Sequence, residues 1–174
     1  MKYCIDNYQP QIKKTIDIFC VCHIHKMEPL RTHREHMKKT VRGMKNLKVF
    51  CEDNVSSKEF HDKLLASKIV ISPWGLGSRI ASDQKAILSG CILVKPDTDF
   101  VKTVPDLYQE QYYVKCKYDL SNVEEVCHMI LQNYDQYFLK TQNAKKLFDS
   151  VKIEDYQKNF CKNITDCVSC YLGK

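Results

Sequence analysis

The sequence predicts an α/β fold: a single Rossmann-like domain with a mainly parallel sheet and helices on both faces. The main observation is that short β-branched apolar runs alternate with amphipathic segments of helical period along most of the chain. The length of 174 residues is also that of one domain and excludes a full two-domain enzyme. Hydrophobic residues make up 44% and charged residues 28%, which is ordinary for a globular domain and excludes wholesale disorder.

The first strand is predicted over 16–22 (IDIFCVC), because this apolar run is short, β-branched and bounded by polar residues. A helix should follow it. Pro29 suits the first helical position, and Gly43 and Asn46 offer a stop. The next apolar run, LKVFC at 47–51, predicts the second strand.

The second and third helices are marked by their ends. Ser56 and Glu59 form a capping box, which opens the second helix. The run IVIS at 69–72 predicts a third strand that continues directly into PWGLGS. The segment 78–90 then has apolar residues at helical spacing and ends at Gly90, as a capped helix of about three turns does.

The remaining elements continue the alternation. CILVK at 91–95 predicts a fourth strand and YYVKCKY at 112–118 a fifth. Ser121 and Glu124 form a second capping box, and a further helix is predicted over 135–150. Because consecutive strands joined by helices run parallel, we expect ligands just beyond the carboxyl ends of the strands.

The chain shows no internal repeat and no low-complexity linker. We expect a domain over 1–150 and a Cys-containing tail over 151–174, whose packing the sequence does not predict. Met1–Pro10 lacks the apolar stretch and cleavage site of a signal peptide, so we expect a cytoplasmic protein. In that compartment its ten cysteines are expected as reduced thiols. The formal charge of +6 favours anionic partners.

The segment 72–97 (SPWGLGSRIASDQKAILSGCILVKPD) has the pattern of a strand, a Gly-containing turn and a helix start. Exposed N–H groups and the helix dipole favour an anion such as a diphosphate there. Gly75 and Gly77 would allow close approach to the backbone, Arg79 adds a positive charge, and Trp74 offers a face for a base or sugar. The alternative is that the glycines only make the turn and that Trp74 plugs the end of the core.

The runs SPWGLGS, SDQKAILSGCILVKPD and VPDLY resemble the carboxyl-terminal, nucleotide-sugar-binding half of GT-B glycosyltransferases. The similar group carries S-P-W-G-x-G-E, R-D-x-E-A-I-x-S-G-x-L-x-I-K-P-D and W-P-D-x-Y. The resemblance implies transfer of a sugar from a nucleoside diphosphate sugar to a hydroxyl acceptor, such as a glycan or glycoprotein. It implies no cofactor and no required metal. In that family the acceptor lies on an amino-terminal domain, which leaves three alternatives here: an additional domain of a larger polypeptide, a minimal transferase that builds its acceptor site from loops, or a degenerate binding module. The expected donor-binding residues are Ser72, Trp74, Gly75, Gly77, Ser78, Arg79, Asp83, Lys85 and Lys95.

Two positions depart from the family pattern. Ser78 replaces the family's Glu after the second turn glycine, and Lys85 replaces the Glu that holds the donor ribose. A Lys cannot accept hydrogen bonds from a ribose diol, but it can pair with phosphate. We therefore expect Lys85 on the donor-facing side of its helix, and Asp83 as the carboxylate nearest the site.

A polar segment, HIHKMEPLRTHR at 23–34, follows the first strand. In the resemblance it faces the donor phosphates. Its candidates for proton transfer are His23, His25 and Glu28, with Asp83 as a further carboxylate, and its phosphate candidates are Lys26 and Arg31. The alternative is a solvated polar loop.

Cations recur every three or four residues over 30–45, which predicts one basic helix face. Its members are Arg31, Arg34, Lys38, Arg42 and Lys45. This face could bind nucleic acid, anionic lipid or another anionic partner in a non-catalytic module, or it could be only a solvated face.

Two thiol clusters are candidates for a metal site. The first comprises Cys20, Cys22, His23 and His25, and the second Cys161, Cys167 and Cys170. The first lies mostly on a predicted buried strand, where Cys packs as a small hydrophobe. The second lacks a matching ligand pair. We therefore expect no metal.

Overall fold

The computed structural model describes residues 12–24, 26–74, 81–101, 103, 105–150, 162 and 165. In these residues the chain forms a five-stranded sheet of order β2-β1-β3-β4-β5 in which every neighbouring pair is parallel. The strands are β1 (Ile16–Phe19), β2 (Val49–Phe50), β3 (Ser67–Ile71), β4 (Ile92–Pro96) and β5 (Val114–Cys116). The predicted fold class, α/β with a mainly parallel sheet, is confirmed.

Among the described residues, one helix follows each of β1, β2 and β3, and two helices follow β5. They are α1 (Leu30–Arg42), α2 (Ser57–Leu65), α3 (Ala81–Leu88), α4 (Val123–Gln132) and α5 (Tyr134–Ser150). In the described part of the chain, none of them combines the length and the apolar character needed to cross a bilayer.

The core lies on both faces of the sheet because neighbouring strand residues point to opposite sides. Ile69 and Ile71 belong to a cluster formed with α1 and α4, whereas Val70 between them belongs to a cluster with α2 and α3. Helix α5 contributes to both, through Phe138 to the first and Ala144 to the second. The prediction of helices on both faces is thereby confirmed.

One of the two predicted capping boxes is present in part. The Ser56 hydroxyl accepts a hydrogen bond from the Glu59 N–H at 3.2 Å, as predicted. The second prediction is wrong, because α4 begins at Val123 with Asn122 at its N-cap position. The Glu124 carboxylate there accepts from the N–H of Lys45 at 3.0 Å instead of reaching back along its own helix.

Helix ends agree with the sequence where glycine marks them. Gly43 caps α1, and Gly90 follows α3 with a φ of 69° and donates its N–H to the Ile87 carbonyl at 2.9 Å. Strands β1, β2 and β5 are shorter than predicted, whereas both ends of β3 and β4 lie within two residues of the prediction. Strand β1 ends at Phe19, so Cys20 and Cys22 lie just beyond it at the edge of the sheet. The first turn of the predicted helix over 78–90 and nearly all of the tail over 151–174 lie outside the described residues, so the domain division stays a prediction.

Candidate functional site

The parallel strands end at one common edge, which we call the carboxyl edge. The segments 20–24, 72–74 and 97–98 leave β1, β3 and β4 at this edge. Helix α3 connects β3 to β4, so its amino-terminal end belongs to the same side of the sheet. In an open parallel sheet this is where ligands bind.

Asp83 lies at the centre of a buried polar network at this edge. Its carboxylate accepts hydrogen bonds from the Ser72 hydroxyl and from the Tyr108 hydroxyl, the latter at 2.6 Å. It also pairs with the Lys95 ammonium at 3.2 Å, and neither side chain of the pair is more than 1% exposed. Lys95 in turn donates to the Pro73 carbonyl at 2.8 Å. Residues from all three of the runs that resemble glycosyltransferases therefore meet inside the protein, around the ion pair of Asp83 and Lys95.

Burial and charge act on Lys95 in opposite directions. Desolvation lowers the pKa of its ammonium, whereas the Asp83 carboxylate beside it favours the charged form, and the net effect is a lowered pKa. The ammonium also lies 5.7 Å from the centre of the Tyr108 ring. Tyr108 was not among the predicted site residues, although the VPDLY motif contained it.

Arg34 joins two of the segments at the carboxyl edge. Its Nη1 donates to the His23 carbonyl at 2.6 Å, and its Nε and Nη2 donate to the Trp74 carbonyl at 3.2 and 3.1 Å. The side chain is buried, so its charge is compensated by backbone dipoles instead of by water. The segments after β1 and β3 are thus fixed to each other through α1.

An aromatic group covers part of the same edge. The Trp74 ring stacks on Phe100 at 5.4 Å and meets Tyr118 edge-on at 6.0 Å. His33 stacks on Tyr118 at 5.1 Å, and burial lowers the pKa of its imidazole. Phe100 therefore covers one face of Trp74, and Phe100 itself is 71% exposed. Contact of Trp74 with a base or sugar stays a prediction.

A small recess opens at the carboxyl edge between β1, β3 and the helices α2 and α3. Val21, Phe60, Ser72 and Ser82 are among the residues that line it. The Lys85 ammonium lies 5.6 Å from the centre of the Phe60 ring. Lys85 is therefore next to a residue of the recess, and its predicted contact with a donor stays a prediction.

The prediction of a solvated basic face on α1 is correct for Arg31, Arg42 and Lys45, which are exposed, and wrong for Arg34 and Lys38. Arg34 and Lys38 are buried, and the Lys38 ammonium pairs with Asp53 at 2.6 Å. Arg42 binds the other carboxylate oxygen of Asp53 at 2.8 Å, and the carboxylate of Glu35 pairs with Arg31 at 3.0 Å. The loop after β2 supplies a counterion that the spacing of the cations could not reveal. Four of the five cations therefore have protein partners.

The other candidates lie in or near the segment before α1. His23 and Lys26 are exposed. The Glu28 carboxylate accepts from the Thr32 hydroxyl at 2.7 Å and from its N–H at 3.2 Å, and these bonds lower the pKa of Glu28. The predicted residues His25, Gly75, Gly77, Ser78 and Arg79 lie outside the described residues. Their roles stay predictions.

The first thiol cluster has a different composition from the one predicted. The side chains of Cys20 and Cys51 belong to one core cluster, and Cys22 packs against that cluster. Within the described ranges, no three His, Cys, Asp or Glu side chains are arranged to hold a metal ion. The second cluster, Cys161, Cys167 and Cys170, lies outside those ranges.

Comparison with known proteins relates the fold to one class of enzyme. No family model matches the sequence, and no curated protein matches it. Among solved structures, the crystal structure of TarM, a glycosyltransferase, matches with a TM-score of 0.59 at 13% sequence identity. The match covers 90% of this chain and 36% of TarM, so the chain spans about a third of that protein. The chain has a glycosyltransferase-like fold.

Proposed function

We propose that the chain is the donor-binding domain of a GT-B glycosyltransferase and binds a nucleoside diphosphate sugar at the carboxyl edge. The observation that carries the proposal is the buried network around Asp83. It ties Ser72, at the start of the glycine-containing loop, to the first turn of α3 at the other end of that loop. The described residues on either side of 75–80 are thus held to each other.

The chemistry proposed for this loop is stabilisation of the leaving group. The backbone N–H groups near Gly75 to Arg79 would donate hydrogen bonds to the departing diphosphate and so stabilise the negative charge that develops on it. Arg79 and Lys85 would add positive charge, without a required metal. Lys95 would add positive charge from inside the protein, because Asp83 and the Pro73 carbonyl hold its ammonium there.

The acceptor side of the reaction is proposed to come from outside this domain. The match covers only 36% of TarM, which leaves room in such an enzyme for a second domain. We propose that this domain of a larger polypeptide supplies the acceptor hydroxyl, from a glycan or glycoprotein, and the base that activates it.

Calorimetry with UDP, GDP, TDP and CMP sugars and with the free nucleotides tests donor binding. At least one should bind more tightly than about 1 mM, and Arg79→Ala should weaken it. Lys146→Ala is the matched control, because this exposed lysine lies on α5 and its loss also removes one positive charge. Absence of binding by the whole panel, or equal loss in both variants, would contradict the proposal.

The role of Lys85 has a separate test. If it contacts phosphate in place of the family's ribose contact, the native chain should discriminate weakly between ribose and 2′-deoxyribose forms of the best nucleotide. Lys85→Glu should create a preference for the ribose form, because a carboxylate can accept from both hydroxyls. A strong native preference, or the same preference in both proteins, would leave Lys85 as a lysine packed on Phe60.

A further inference from the structure

Three thiols lie together where β1 and β2 end, and the function proposed above does not use them. The ladder pairs Phe19 with Phe50, and it continues through a hydrogen bond of 2.9 Å from the Cys20 N–H to the Phe50 carbonyl. Cys20 and Cys51 are therefore direct neighbours on adjacent strands. Both point into the same core cluster, and Cys22, two residues after Cys20, packs against that cluster too.

The spacing of parallel strands fits a bond between Cys20 and Cys51. Adjacent strands lie about 4.8 Å apart, and disulfides join residues whose Cα atoms are about 4.4–6.8 Å apart. All three cysteines are free, and Cys20 lies next to Cys51 across the ladder and two residues before Cys22. Cys20 is thus the central member of the group.

The charges of three cations act on this thiol group. The charges of Lys38 and Arg34 act on Cys22, and those of Arg42 and Lys38 act on Cys51. The Arg42 Nε also donates to the Cys51 carbonyl at 2.9 Å. The neighbouring Cys20 thiol and these positive charges outweigh the effect of burial, so that the pKa of Cys51 is lowered to about 7 and the pKa of Cys22 is also lowered. Such surroundings favour the thiolate, which is the form that reacts with oxidants.

We propose that Cys20, Cys22 and Cys51 form a modification site for hydroperoxides, which ends in a reversible disulfide between Cys20 and Cys51. Cys22 is the entry thiol, because it is partly exposed whereas Cys20 and Cys51 are buried. This inference does not depend on the proposed donor binding.

The reaction balances with the peroxide as the only oxidant. The Cys22 thiolate attacks the peroxide, breaks its O–O bond and becomes a sulfenic acid, and an alcohol or water leaves. The Cys20 thiol then displaces the hydroxyl as water and forms a Cys20–Cys22 disulfide. The Cys51 thiolate attacks the Cys20 sulfur and releases Cys22 as a thiolate. Two thiols are oxidised in total and one peroxide is reduced.

Peptide mapping after hydrogen peroxide treatment tests the proposal on the full chain. Trypsin places Cys20 and Cys22 in the peptide 15–26 and Cys51 in the peptide 49–58, so the disulfide joins two peptides. The expected result is a linked pair through Cys20, with loss of two free thiols per chain and recovery of both on addition of a thiol reductant. Cys91 and Cys127 are internal controls, because they are buried and burial raises the pKa of both thiols.

Single substitutions separate the three roles. Cys22→Ala should slow formation of the linked pair several-fold while leaving its final amount unchanged, and Cys20→Ala should abolish the link. Cys116→Ala, at a buried thiol outside the group, should change neither. The proposal is overturned if peroxide leaves peptides 15–26 and 49–58 unlinked in the native chain. It is equally overturned if Cys22→Ala reacts at the native rate, or if a Cys22–Cys51 link forms in folded Cys20→Ala.

Discussion

Asp83 and Lys95 show how a residue can belong to a binding motif and still act from inside the protein. Both charged groups are removed from water, and each is the counterion of the other. Neutral groups add hydrogen bonds: the Ser72 and Tyr108 hydroxyls to Asp83, and the Pro73 carbonyl to Lys95. Such a pair is costly to break from one side, because the remaining charge stays buried without a counterion. The stability of the carboxyl edge therefore depends on this pair.

Asp83→Asn should lower the free energy of unfolding by about 3–5 kcal/mol, because it leaves the Lys95 ammonium buried and uncompensated. The double variant Asp83→Leu with Lys95→Met should recover much of this loss, since it removes both charges together. Urea unfolding of the native chain, Asp83→Leu, Lys95→Met and the double variant measures the coupling. Additive losses in the double variant would contradict the internal ion pair.

Asp53 gives a prediction for pH. Its hydrogen bonds from Lys38 and Arg42 lower its pKa from 3.8 to about 2, so the folded state holds the proton less tightly than the unfolded state. The stability that this carboxylate contributes is present above pH 3.8 and is lost as the pH falls towards about 2. The stability difference between the native chain and Asp53→Asn should therefore be constant near neutrality and shrink over that acidic window.

The control for Asp53 is its neighbour. Glu52→Gln removes an adjacent exposed carboxylate that makes neither of these two bonds. A pH dependence of the same size in this variant would show that the effect comes from general charge and not from the pairing with Lys38 and Arg42.

At the level of elements, helix α1 connects the segments that follow three strands and is not only a surface helix. Arg34 reaches the segments that follow β1 and β3, and Lys38 reaches the loop after β2. Loss of Arg34 or Lys38 should destabilise the carboxyl edge more than it changes the charge of the protein surface. Charge reversal at Arg34 or Lys38 would therefore report on folding and not on binding of an anionic partner.

Arg34→Met should cost about 2–4 kcal/mol of unfolding free energy, because two backbone carbonyls lose charge-assisted hydrogen bonds while the volume is largely kept. Arg31→Met should leave stability unchanged within error, since Arg31 forms an exposed pair with Glu35 on the same helix. Thermal unfolding of the two variants measures the difference. Equal losses of unfolding free energy in the two variants would contradict the stabilising role of the buried Arg34 hydrogen bonds.

Local rules predicted the elements better than their environments. The period of the apolar residues and the signals at Ser56, Gly43 and Gly90 predicted helices at the observed places, because these are interactions within one turn. The buried state of Arg34 and the partner of Asp83 were not predictable in the same way. They depend on residues far along the chain, such as Trp74 and Tyr108, which the fold brings close and the spacing does not reveal.

For the whole molecule, the sheet order places β1 and β3 beside each other at the centre, with β2 and β4 outside them. The segments that leave these two central strands are the ones that Arg34 connects. The elements proposed to contact a donor are thus built on the middle of the sheet, where hydrogen bonds hold each strand on both sides.

A bound nucleotide should therefore stabilise the whole chain and not only a loop. At a concentration about 100-fold above its Kd, the best ligand of the calorimetric panel should add about 2.7 kcal/mol to the unfolding free energy. Thermal unfolding with increasing nucleotide measures this, and the nucleoside with the same base but without phosphate is the control. A shift of the same size with that nucleoside would exclude the phosphate-binding part of the proposal.

Helix α5 packs on both core clusters, with Phe138 towards one and Ala144 towards the other, and Thr141 between them donates to the Cys91 carbonyl at 3.1 Å. Neither layer can then open while the other stays closed, because opening either one detaches the same helix. Amide protons of β3 and β4 should consequently exchange with solvent only through complete unfolding, at a common free energy of opening. Native-state hydrogen exchange would reveal one cooperative unit, in which a ligand that slows opening on one face also protects the other.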